Sequence, residues 1–192
     1  MEVISVWNPK GGQGKSMLSL NIAAAAVQAD LRPLVVDMDQ QGTAMAYHDA
    51  GKLPFPVVAG IPKQKPDADL VLIDHMASDW DMPDAPVLLM PLKPARDQYK
   101  VYADAQVKAE RAGKRIVTVV TDYSPHRASE LAAVTALKKQ GAIVIPSSGV
   151  FSRAADDYLT IFDTKMDGAY KVRERRREMV KILDSVMEVE CV

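Results

Sequence analysis

The run Asn8-Pro9-Lys10-Gly11-Gly12-Gln13-Gly14-Lys15-Ser16 gathers three glycines, two lysines and a hydroxyl into nine residues. That mixture suits a phosphate-binding loop, because glycine permits tight turns that bring several backbone N–H groups close to phosphate oxygens. The G-x-x-x-x-G-K-[ST] spacing puts its first glycine at position 9, where this chain has Pro9, so Gly11, Gly12 and Gly14 supply the freedom instead. On this reading Lys15 reaches the β- and γ-phosphates and the Ser16 hydroxyl ligates Mg²⁺. Lys10 is a second lysine that an ordinary loop does not need.

Three acids can serve the same centre. Asp37 and Asp39 stand two residues apart in Val36-Asp37-Met38-Asp39-Gln40-Gln41-Gly42. One can hold the shell of a metal ion while the other orients an attacking water. The same residues also read as a polar loop with a helix cap, a role Asp fills well. Asp74 ends the apolar run Leu70-Val71-Leu72-Ile73. In a chain with a phosphate loop, such an acid is a usual second partner of Mg²⁺, although Asp also ends many strands for turn reasons alone.

These groups need a scaffold that holds them at one level. Apolar, β-branched runs at 3–7, 33–37, 70–74, 87–90, 116–120 and 143–145 predict strands buried on both faces. Residues 17–30, 97–112 and 128–140 predict helices. The alternation predicts an α/β fold: an open, mostly parallel twisted β-sheet flanked by helices, with ligands at the carboxyl ends of the strands. Asn8 to Ser16, Asp37 to Gln41, Asp74, Thr121-Asp122 and Pro146 to Gly149 all fall at that point. The proline- and lysine-rich stretch 54–66 reads as a connecting loop with one short edge strand.

Composition narrows the class. The 192 residues fit one domain, 1–192, long enough to bury roughly 70% of the unfolded surface. No apolar run reaches the roughly 20 residues of a membrane span, and the start has no signal-peptide pattern. The single cysteine, Cys191, excludes an internal disulfide and a multi-cysteine metal centre within one chain, so a cytoplasmic setting is expected. A net charge of −1 predicts no bulk attraction to nucleic acid, so any basic surface must be local. His48, His75 and His126 show no metal spacing. Trp7 and Trp80 read as packing residues.

A helix over about 168–188 offers such a local surface. From 165 to 181 seven basic residues meet three acids, a net of 7 − 3 = +4. Val172, Met179, Val180, Leu183, Val186 and Met187 follow helical spacing and are expected to dock on the core. Lys171, Arg173, Arg175, Arg176, Arg177 and Lys181 are then expected to face out, with Arg153 and Arg127 extending the patch. Such a stripe suits sequence-independent phosphate contacts; the blander reading is a solvated charged face.

The residues Lys10-Gly11-Gly12-Gln13-Gly14-Lys15-Ser16 resemble the deviant Walker A box, KGGxGK[ST], of the ParA/MinD superfamily of ATPases. Val36 to Gly42 is similar to that family's Walker A′ box, and the short chain most resembles the small plasmid-partition (ParF-like) ParA proteins. The resemblance implies ATP and Mg²⁺ as ligands and a homodimer closed around ATP. In it Lys10 touches phosphates held by the other subunit, Asp39 positions the hydrolytic water, and Asp37 and Asp74 support Mg²⁺. Pro146 lies near the adenine, with Thr121, Asp122 and Ser147 nearby, and Met17 stands where the family has a Thr or Ser that can contact the α-phosphate. It further implies slow hydrolysis without a partner, nonspecific DNA binding on the nucleoid by the ATP form, and a ParB-like centromere-binding protein or cargo adaptor as partner. The alternative is a MinD-like positioning ATPase on a membrane or protein assembly. The acidic end 184–190 is poor in aromatics, which argues against a membrane. The chain departs from the family at Gln40, at Met17, in Asp74-His75-Met76-Ala77 where a D-x-P-P turn is common, and after Pro146, where family arginines are missing.

Overall fold

The structure, a computed structural model, describes residues 1–187. Cys191 and the acidic positions 188 and 190 lie outside the described residues. In chain order the elements are β1 (Glu2–Val6), α1 (Lys15–Gln28), β2 (Pro33–Asp37), α2 (Thr43–Asp49), β3 (Val57–Ala59), β4 (Leu70–Asp74), β5 (Val87–Leu92), α3 (Arg96–Arg111), β6 (Arg115–Tyr123), α4 (Ala128–Lys139), β7 (Ile143–Pro146), α5 (Gly149–Asp156) and α6 (Val172–Met187). A short 3-10 turn, Thr164–Met166, precedes α6.

All seven strands run parallel, in the order β3-β2-β4-β1-β5-β6-β7. The expected edge strand is β3. Three short elements escaped the sequence reading: α2, α5 and the 3-10 turn. Seven- and eight-residue helices give too few turns for a clear apolar period.

Register places the chemistry. Val6 stands opposite Asp74, and Asp37 stands opposite Asp74 on the other side. The loop leaving β1 and both strand-end acids therefore lie on one level.

Helix α1 is buried nearly all round, from Leu18 to Ala26, against β1, β2 and β4 and alongside α6. Its four consecutive alanines, Ala23 to Ala26, let neighbouring backbone approach closely. On this face Ile4, Val6, Val35, Leu72 and Leu89 share one core with Met179, Ile182, Leu183 and Val186 of α6. The other face carries Trp7, Leu88, Met90 and Val120 under α3 and α4. Trp7 is packed as expected, at 1% exposure. Trp80 is not: it is 57% exposed, because the loop after β4 turns it away from both cores.

Asn21 joins α1 to the segment before α6. Its side-chain nitrogen donates to Met17 O at 2.7 Å, and its oxygen accepts from the Ile161 N–H at 2.9 Å. Replacing it by alanine leaves that buried N–H without a partner. Asn21→Ala should lower the unfolding free energy by about 1–3 kcal/mol in chemical denaturation.

Candidate phosphate and nucleotide site

The loop between β1 and α1 is held from inside by polar side chains that bond to the protein itself. Asn8 is fully buried. Its amide donates to Pro91 O at 2.7 Å and accepts from the Lys10 N–H at 2.8 Å. Gln13 fastens the loop to the next strand: its oxygen accepts from Lys93 N–H at 2.8 Å, and its nitrogen donates to Gly11 O and to Gln98 Oε1. The Thr121 hydroxyl donates to Gln13 O at 2.9 Å. Gln13 and Thr121, expected near the ligand, thus spend their side-chain groups on loop shape; the Gln13 backbone N–H remains a phosphate donor in kind. Gly12 and Gly14 both have positive φ, +74° and +88°, where a side chain would be strained.

The two lysines differ. Lys15 is buried, with its ammonium donating to Asn8 O at 3.2 Å. Burial lowers its pKa, while Asp74, Asp39 and Asp79 oppose that shift. Lys10 is half-buried, and its ammonium has no hydrogen bond or ion pair among the described residues.

The acids differ too. Asp37 has both oxygens in use: one accepts from Asp39 N–H and the other from Met45 N–H in the first turn of α2, each at 2.9 Å. The capping role and a supporting role toward a metal coexist here, since each oxygen keeps a second lone pair. Asp39 is half-buried and accepts from Gln41 N–H at 2.9 Å. Asp74 is 1% exposed, and neither of its oxygens meets a donor in hydrogen-bonding geometry. Burial pushes its carboxyl up to about 7. The Ser16 hydroxyl and Lys15 pull it down, and Asp37 adds to the rise.

An orphaned buried carboxylate beside a serine hydroxyl is a donor pair that suits a hard cation kept partly in water and phosphate oxygen. No cluster of three or more histidine, cysteine or acid side chains suited to a metal ion occurs among the described residues. Ser16, Asp74 and Asp37 therefore fit Mg²⁺ carried in with a phosphate ligand, and do not form an all-protein cage.

Beside the loop opens a cleft of about 240 Å³, lined by Gly12, Gly14, Met17, Thr121, Pro146, Ser147 and Phe151 among others. The structure brings Met17, Pro146 and Ser147 together there. Lys93 was missed. It pairs with Asp122 across the cleft at 3.3 Å. Burial alone would raise the Asp122 pKa, but the Ser147 hydroxyl and Lys93 bring it below the usual value. A larger groove, about 590 Å³, lies at the opposite ends of β2 and β3. Its Arg32 is already paired with Asp67 and Asp69, and it has no part in this site.

The basic helix needs correcting. Arg175 is 5% exposed: it donates to Pro146 O at 3.0 Å and pairs with Glu178 at 2.8 Å. Arg176 donates to Ile161 O and Asp163 O and pairs with Asp167. Both face inward, because a helix that docks its apolar stripe brings the flanking arginines over backbone carbonyls left free by the preceding turns. Arg127 is exposed but pairs with Glu130. Arg153, Lys171, Arg173, Arg177 and Lys181 are exposed, and Val180, expected to dock, is 40% exposed.

Residues 4–161 match the family described as "CobQ/CobB/MinD/ParA nucleotide binding domain". A 42-residue stretch is 48% identical to the chromosome partitioning protein ParA of Myxococcus xanthus, covering 22% of this chain and 15% of that one. Aligned stretches span only 15% to 28% of the curated relatives the chain matches. Among solved structures, the MinD cell division protein of Aquifex aeolicus superposes with a TM-score of 0.74 at 16% identity, over 96% of this chain and 97% of that one. A putative plasmid partition protein of Borrelia burgdorferi, bound to AMPPNP, gives 0.73 at 13% identity, over 96% and 98%. Both likenesses are of fold.

Asp74 makes the nucleotide-free protein pH-sensitive. Its folded pKa lies above its unfolded value, so the folded state holds the extra proton and stability falls as pH rises through roughly 4 to 7. Asp74→Asn removes that dependence. The variant should match the wild type near pH 4 and exceed it by about 4 kcal/mol at pH 8 in nucleotide-free denaturation curves.

Proposed function

Since the chain belongs to the CobQ/CobB/MinD/ParA family of nucleotide-binding ATPase domains, we propose that it is a partition ATPase of the small plasmid type. It closes into a homodimer around ATP and binds duplex DNA without sequence preference in that state. It lets go when a ParB-like centromere-binding protein or a cargo adaptor speeds hydrolysis. The observation that carries this reading is the contrast between the two loop lysines. Lys15 is buried against its own loop, and Lys10 stands half-exposed with no partner for its ammonium among the described residues. A second cation not spent on its own loop can neutralise phosphate on an opposing copy, which removes the repulsion between two ATP-bearing faces.

Within this reading the backbone of Gly11 to Ser16 cradles the phosphates, and Lys15 holds their negative charge. Met17, Pro146 and Ser147 wall the base side of the cleft. Asp39 holds the attacking water and takes up its hydrogen bond. Mg²⁺, held on the side of Ser16, Asp74 and Asp37, would supply charge neutralisation at the β- and γ-phosphates. Arg153, Lys171, Arg173, Arg177 and Lys181 form the DNA face, while Arg175 and Arg176 belong to the fold.

A membrane-positioning role fits less well. The described part of α6 spends its apolar stripe on the core, and no described helix is long and apolar enough to cross a bilayer.

Lys10→Ala should abolish both the ATP-dependent dimer in sedimentation velocity and the ATP-dependent DNA binding, while ATP binding by the monomer persists. The double change Arg173→Ala, Arg177→Ala should weaken ATP-form binding to random duplex DNA about tenfold and flatten log K against log salt by about 2. Unaltered DNA affinity in that variant would move the DNA face elsewhere. ATP-dependent binding to anionic vesicles with none to DNA would favour the membrane reading.

A further inference from the structure

The loop that follows Asp74 is tied down by a histidine that neither the phosphate loop nor the metal side uses. His75 is half-buried. Its Nδ1 lies 3.0 Å from Asp79 Oδ2, and its Nε2 lies 3.0 Å from the Ser5 hydroxyl. The carboxylate can only accept, so Nδ1 carries the proton and Nε2 accepts from Ser5. The order Ser5, His75, Asp79 matches that of a nucleophilic triad. Ser5, however, is 1% exposed in the middle of β1, where no substrate reaches it. The arrangement holds structure in place.

What it holds is specific. The Trp7 indole N–H donates to Asp79 O at 3.0 Å, and the Ser78 N–H donates to Pro9 O at 2.9 Å. The His75 N–H donates to Val6 O, and a Cβ placed on Gly11 would meet the Ala77 Cβ at 3.4 Å. The loop from His75 to Asp79 thus lies against Pro9 to Gly11. Ser78 sits at φ +64°, a conformation a serine keeps only when its surroundings enforce it. This turn has no proline in positions 75–79 to stiffen it, so the side-chain bridge supplies the stiffness.

We propose that His75 is a positioning residue for nucleotide hydrolysis: bridged between Ser5 and Asp79, it latches the loop after Asp74 onto β1 and the phosphate loop. Asp74 and the loop carrying Lys10 are thereby fixed relative to each other before a nucleotide arrives. The inference rests on the ATPase reading above and is independent of DNA or cargo.

The test compares wild type, His75→Ala and His75→Asn, whose amide N–H can still reach Asp79. Amide hydrogen exchange at Ser78 is read in the nucleotide-free protein, AMPPNP affinity by calorimetry, and kcat and KM with MgATP. In His75→Ala, Ser78 exchange should rise and kcat should fall, each about tenfold, the loss of roughly one charge-assisted hydrogen bond. AMPPNP affinity and KM should stay within about twofold. His75→Asn should recover most of both losses. Unchanged Ser78 exchange in His75→Ala overturns the latch, and so does a kcat loss matched by an equal loss of AMPPNP affinity. A wild type that binds no AMPPNP counts against the ATPase reading instead, and the exchange measurement still decides the latch without turnover.

Discussion

The structure turns on a carboxylate kept dry. Asp74 is buried at the carboxyl end of β4 with no donor to either oxygen, close to the buried ammonium of Lys15. Taking such a group out of water costs several kcal/mol unless something meets it. Its pKa near 7 is the sign of that cost. A site of this kind persists only in a scaffold stiff enough to refuse relaxation. The parallel register supplies the stiffness, setting Val6, Asp37 and Asp74 side by side across three strands.

Around this centre the polar side chains divide into those that hold the loop and those free to meet a ligand. Asn8, Gln13, Thr121 and His75 are committed to carbonyls, amides and neighbouring side chains. The Lys10 ammonium is not, among the described residues. That division explains how a loop with three glycines keeps one shape: its flexibility is used to reach the conformation, and buried amide groups then fix it. Sequence motifs record the glycines and lysines; the anchors carry as much of the geometry.

Helix α6 shows a comparable division. Its apolar stripe closes the core over α1, and Arg175 reaches through to the carbonyl of Pro146, at the wall of the cleft. Arg173, Arg177 and Lys181 project to solvent from the same helix. The helix that presents positive charge is thus hydrogen-bonded directly to the strand end that lines the cleft. The Arg175–Glu178 pair leaves Arg175 Nε and Glu178 Oε2 without partners, an imperfect satisfaction of buried charge at that joint.

The sequence by itself determined the strand–loop–helix start, the parallel α/β class, the edge strand within 54–66 and the three acids, because these depend on local periodicity and on residue chemistry at strand ends. Helix ends came within two residues for α1, α3 and α4. Only the tertiary structure decided which polar groups are free. A +4 segment gives no sign that Arg175 and Arg176 turn inward, since helical phase near the edge of an apolar stripe is set by what the helix docks against. The partners of His75 lie four and seventy residues away, and two of those of Gln13 eighty and more. Such pairings follow from strand order and register, which no local pattern carries. The short helices α2 and α5 were hidden for a related reason: helices of that length are stabilised by packing more than by their own propensity.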